Sequence, residues 1–129
     1  MNKILVEVSV GELLDKISIL EIKQEKIKSK ENLAYINNEY NILKKELEKN
    51  IKMDNKLKSL FQSLKEINSK LWVIEDNKRL CEKNSNFGAE FIKLSRDVHF
   101  LNDDRAKIKL RINNHSGSKI KEIKEYTSY

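Results

Sequence analysis

Arg105 is the residue around which any chemistry in this chain would turn. In SRDVHFLNDDRAKIK it falls between Leu101 and Ile108, where the spacing of the apolar stripe expects an aliphatic side chain. A guanidinium at such a position is costly unless an acid meets it. Asn102, Arg105 and Lys109 stand at i, i+3 and i+7 and share one helix face, while Arg96, His99 and Asp103 share another. The acids available to face them are Asp15 and Glu21 early in the chain, beside Lys16, and Glu75 and Asp76 in LWVIEDNKR. Two uses follow. One is an ion pair that fixes helix register; the other is an Arg aimed into a cleft to hold a phosphate or carboxylate. The first is preferred, because structural ion-pair networks carry the same sequence signal. The candidate ligand-binding residues are therefore Asp15, Lys16, Glu21, Glu75, Asp76, Asn102, Asp103, Arg105 and Lys109.

Other chemistries lack their parts. His99 and His115 stand alone, with neither HExxH nor an i, i+4 histidine pair, so no metal site is expected. No Gly-rich phosphate loop and no Ser/His/Asp order can be defended, and the cofactor, if the chain uses one, is unknown from the sequence. The acid-rich signature of helical nucleotide pyrophosphohydrolases is missing, as are the first-helix arginines of helical chorismate mutases. Cys81 is the lone cysteine, at an apolar helix position, which reads as a buried structural thiol rather than a nucleophile.

Four helices must position these groups. SVGELLDKISILEIKQEKI opens with a capping box in which Ser9 accepts from the Glu12 amide and Glu12 reaches back to Ser9. Leu13, Ile17, Leu20 and Ile27 recur behind it, and Leu14, Ile19 and Ile22 widen the stripe, so this helix expects neighbours on more than one side. Ser29 caps a second helix with Leu33, Ile36, Tyr40, Leu43 and Leu47 on a strict seam. Asp54 or Asn55 caps a third, from about Asn55 to Lys83, which carries Trp72 beside its seam as a packing anchor. After the loop Asn84–Gly88 a fourth runs from about Ala89 to Asn114, ended by Gly117 as a left-handed cap. Residues 3–8 alternate as a short strand, which needs a partner; KIKEIKEY at 119–126 is the candidate.

Composition agrees. The chain has 129 residues, 39% hydrophobic and 36% charged, with no Pro and three Gly, as suits long helices with charged outer faces. The net charge of +6 raises nucleic acid as a partner, yet only four of 26 basic residues are Arg and the lysines interleave with acids. Clustered Arg forks are what specific readout uses, so nucleic acid is set aside. No apolar run approaches the roughly 20 residues of a membrane span, and MNKILVEVSV does not read as a signal peptide. A cytoplasmic location is expected.

Taken together, GELLDKISILEIK, LWVIEDNKR and FIKLSRDVHFLNDDRAKIKLRIN, with its ND-x-RA-x-IK core, resemble a family of short bacterial and phage proteins of unknown function. The resemblance implies that Gly11, Glu12 and the candidate polar residues match recurrent positions of that family; it implies no activity.

The expected architecture is mainly α: one helical domain over 1–129, built of four long antiparallel helices as a bundle or extended hairpins. A small β-ribbon from the two terminal segments completes it. Uncovered seam on long helices favours a homodimer. The expected function is a non-enzymatic helical interaction or accessory module that works through its bundle surface and a protein partner. The alternative is a small enzyme or binding protein for an anionic, sugar-phosphate-like or nucleotide ligand in a polar inter-helix cleft. Whether the chain catalyses a reaction stays open.

Overall fold

The computed structural model describes residues 2–120 and 122–129. It contains four helices: α1 Val10–Lys26, α2 Lys30–Asn50, α3 Asn55–Lys83 and α4 Ala89–Ser116. Each boundary has a local cause. The Ser9 hydroxyl accepts from the Glu12 amide at 3.0 Å, Ser29 accepts from Asn32 at 3.3 Å, and the Asp54 carboxylate accepts from Leu57 at 2.8 Å. Each satisfies an amide that the first helical turn leaves without a partner. Gly117, at φ 70°, closes α4 in the left-handed conformation that a side chain would oppose.

α1 is the central element and packs against all three other helices; α3 and α4 form a hairpin, and α2 approaches α1 alone. That centrality explains why the α1 stripe is wide, with Leu14, Ile17, Leu20 and Ile22 all buried. It also explains why the regular α2 seam buries only Leu47, since one neighbour covers one narrow stripe. Cross-contacts set directions. Gln24 meets Asn37 and Glu21 meets Tyr40, so α1 and α2 are antiparallel; Gly11 meets Asn113 and Asp15 meets Arg105, so α1 and α4 are too. The core gathers Leu14 and Ile17 with Leu47, Leu57, Leu64, Ile108 and Ile112.

The α3–α4 hairpin is longer than α1, so the core occupies only the half containing the start of α3 and the end of α4. The outer half, around Trp72–Lys83 and Ala89–Phe100, projects past it.

The expected β-ribbon is not formed: among the described residues there is no strand. Ile4, Leu5 and Val6 are exposed, and the C-terminal segment is engaged elsewhere. Glu122 pairs with Lys109, and Tyr129 donates to Asp103 and packs edge-on to His99 and Phe100. The tail is held through side chains on α4, so its backbone makes no ladder. Ile120 and Ile123, three residues apart, never carried the two-residue period a strand needs. Lys121, within the expected second strand, lies outside the described residues.

Candidate functional site

The polar residues of α1, α3 and α4 meet in one place. Asp15 is 1% exposed, and a buried carboxylate requires a counter-charge and hydrogen bonds to its remaining lone pairs. Arg105 supplies the counter-charge as a two-pronged fork: Nε donates to Oδ1 at 3.0 Å and a terminal nitrogen donates to Oδ2. Asn68 of α3 donates to the same Oδ1 at 2.8 Å and also approaches the Ser18 hydroxyl at 2.8 Å. Ser18 in turn donates to the Asp15 carbonyl at 2.7 Å. The bond to Asp15 holds the guanidinium above its already high ordinary pKa, against the opposing effect of burial.

One turn further along α4, Lys109 forms a second knot. Its ammonium lies 2.8 Å from both Glu12 and Glu122 and 3.7 Å from Asp15. Burial pulls its pKa down, but the hydrogen bonds to Glu12 and Glu122 outweigh that and leave it raised. Glu12 is thus turned toward Lys109, and the reciprocal half of the expected capping box is absent from its hydrogen bonds. Beyond it, the Asn113 side chain accepts from the Gly11 amide at 2.7 Å. A Cβ on Gly11 would sit 2.7 Å from the Lys109 carbonyl oxygen, so glycine is what lets α1 approach α4 here.

Of the candidate residues, Asp15, Arg105 and Lys109 converge, and Asn102 lies at the margin, 3.5 Å from Arg105. The others do not join. Lys16 points outward and is exposed. Glu21 belongs to a separate α1–α2–α3 contact, accepting from Tyr40 at 3.2 Å and pairing with Lys65 at 3.2 Å. Burial and the neighbouring Glu21 carboxylate both raise the Tyr40 phenol pKa. Asp103 accepts from Tyr129. Glu75 and Asp76 line an open groove of about 410 Å³ with Ile19, Trp72, Arg79 and the outer edge of Arg105. Among the described residues neither acid forms an ion pair.

Asn68, Ser18 and Asn113 were not among the candidates; the first two had a signal, and Asn113, off the α4 stripe, had none. Asn68 lies four residues after Leu64 on the α3 seam, and Ser18 lies between Leu14 and Ile22 at four-residue steps. A polar residue on an apolar stripe is the same signal that singled out Arg105.

The buried part of the arrangement is satisfied, while the outer edge of Arg105 faces the groove. Among the described residues no buried side-chain nitrogen or oxygen lacks a hydrogen-bond partner, and no three His, Cys, Asp or Glu side chains are placed to share a metal ion. Cys81 is free and buried. No helix among the described residues is long and apolar enough to cross a membrane.

Neither the comparison with curated proteins nor that with solved structures returns a match. A family model does match, over residues 4–129 and so over both knots, the groove and the docked tail; the chain belongs to a family of unknown function (DUF6165).

Proposed function

We propose that this protein is a non-enzymatic helical interaction module whose buried ion pairs set the relative placement of α1, α3 and α4. The observation that carries this reading is the closure of the Asp15 cluster. The Arg105 fork is occupied by Asp15, and Asn68 and Ser18 take up the neighbouring polar atoms. An anion site would present its guanidinium to solvent with donors to spare. Here Asp15 takes Nε and one terminal nitrogen of Arg105 and leaves only its outer edge at the groove, so most of the charge is met within the helix set, which favours a register role and leaves the helix surfaces to meet a partner.

The groove beside the cluster supports the second reading, a binding protein for an anionic ligand. Trp72 offers an aromatic wall there, and Arg79 a cation without an ion pair among the described residues. Thermal-shift measurements against nucleotides, sugar phosphates and divalent metals separate the two. The module reading expects no saturable rise in melting temperature. A saturable rise that disappears in Arg79→Ala, an exposed substitution that leaves the fold intact, would overturn it in favour of the ligand reading.

A further inference from the structure

The C-terminal segment runs back along α4 and touches it at two points, with a hollow between them. At the inner point Glu122 lies 2.8 Å from the Lys109 ammonium. At the outer point the Tyr129 hydroxyl donates to Asp103, and the Tyr129 ring meets those of His99 and Phe100 at 5.4 and 5.3 Å. From His99 to Lys109 is ten residues of helix, ~15 Å, whereas Glu122 to Tyr129 is seven residues of chain, which reach ~23 Å when extended. The segment therefore arches. Beneath it lies an open space of about 590 Å³, lined by Ala106 and Leu110 of α4 and by Ile123, Lys124 and Tyr126 of the segment.

We propose that this segment is a displaceable strap over a peptide-docking face of α4, and that the partner is a peptide carrying a carboxylate, an apolar residue and an aromatic ring in that order from the Lys109 end. This deepens the interaction-module reading by naming the face and the partner's chemistry, and rests on it. The carboxylate is set by Lys109. Its side chain is 9% exposed, and an ammonium has three donors to place. The helices bring one acceptor within hydrogen-bond distance, Glu12 at 2.8 Å, with Asp15 at 3.7 Å; the other close acceptor, Glu122, comes from outside them. Removing Glu122 empties that seat without stranding a buried charge, because Glu12 and Asp15 stay. The strap is also lightly held. Ile123, Tyr126 and Tyr129 are 76%, 74% and 74% exposed, and the main core draws nothing from it. The apolar residue is set by the hollow. The strap leaves Leu110 partly uncovered there, while its own Lys124 turns to Glu122 at 3.6 Å. A segment with the same two ends and an apolar residue between them would cover Leu110 and gain the burial that the strap forgoes.

The test adds a synthetic peptide of residues 118–129 to the full chain and follows the amide shifts of Phe100 and Lys109. With the strap released by Glu122→Gln and Tyr129→Ala together, saturable binding is expected. Wild type is expected to bind at least about threefold more weakly, because its own strap competes for the face. The same peptide carrying Lys124→Leu is expected to bind the released chain about threefold more tightly, or better. Phe100→Ala, at a position 40% exposed, is expected to abolish binding in the released chain while leaving the helical circular dichroism unchanged. No saturable binding by the released chain, equal affinity in wild type, a Lys124→Leu peptide that binds no better, or binding that survives Phe100→Ala overturns the proposal. A wild-type dimer that is lost in Glu122→Gln would seat a second copy's tail on the face and would overturn it as well. Each of these outcomes bears on this inference alone; the module reading falls only to an Arg79-dependent ligand response.

Discussion

The two halves of the α3–α4 hairpin are written in the same helical period, yet they differ in almost every physical respect. In the inner half, α1 lies across the pair, Leu64 and Ile112 are fully buried, and the polar residues of three helices close around Asp15. In the outer half the covered parts are the seam between the two arms and the edge at His99 and Phe100 where Tyr129 packs, and Cys81 is its one buried side chain beyond Leu71 on α3. The difference teaches that periodicity specifies which stripe of a helix is apolar but not how many neighbours will cover it. Polar residues on a stripe then acquire opposite meanings. Asn68, under α1, is a buried donor with two partners, whereas Asn77, nine residues on, is half-exposed at the centre of a free face.

The largest expected effect breaks the inner half at its centre. Arg105→Ala leaves the buried Asp15 carboxylate with Lys109, 3.7 Å away, as its remaining counter-charge, which costs about 3 kcal/mol, the lower end for buried pairs because of that neighbour and because one edge of Arg105 still touches water. At about 3–5 °C per kcal/mol that lowers the melting temperature by roughly 9–15 °C. Combining it with Asp15→Asn, which keeps a group to accept from Asn68, is expected to return part of the loss. The double-mutant cycle should give a coupling of about 1–3 kcal/mol. A coupling near zero by urea unfolding would mean that the fork does not hold α1 to α4.

Next in size is a matched pair of truncations, one in each half. Leu64→Ala removes a fully buried side chain from the main core and is expected to cost about 2–5 kcal/mol. Leu80→Ala, half-exposed on the free face, should stay within about 0.5 kcal/mol when the chain is dilute. Equal costs under dilute conditions would show that the outer half is as covered as the inner.

Much of the inner half was legible because its signals are local or obey one period. Ser9, Ser29 and Asp54 were readable as caps, since a side-chain oxygen three residues ahead of an orphan amide is a short-range relation. The Asp15–Arg105 pairing was legible from a single charge on an apolar stripe, although Glu21, equally eligible, went instead to Tyr40 and Lys65. Choosing between two acids requires the helix crossing geometry, which the period does not contain. Asn68 was passed over because an amide on a stripe draws less notice than a charge, while its desolvation demands a partner all the same. The terminal ribbon failed for a different reason. Alternation in residues 3–8 was real, but a strand is a property of two segments, and the only available second segment spent its side chains on α4.

The smallest effect sharpens the comparison at the border between the halves, where the tail lies on α4. Glu122 is held below its ordinary carboxylate pKa of 4.5 by the hydrogen bond from Lys109, and Lys109 is raised above 10.5. For the acid, a depressed value means that the contact is complete above pH 4.5 and is lost as pH falls through the lower, bound-state value. For the amine, a raised value means that the contact is complete below 10.5 and is lost as pH climbs through the higher one. Docking is therefore expected to be flat across neutral pH and to fail on the acid side, below the ordinary carboxylate value of 4.5. Glu122 is 41% exposed on its side chain, so solvent screening limits the pair to at most about 1 kcal/mol. Amide chemical shifts of Glu122 and Ile123 followed from pH 7 to pH 2.5 should move together, and Glu122→Gln should abolish the transition. Shifts that stay constant in the wild type, or a transition that survives in Glu122→Gln, would mean that the tail is held by its aromatic end on Phe100 and His99. The outer half would then anchor the tail, and the inner half would have no share in it.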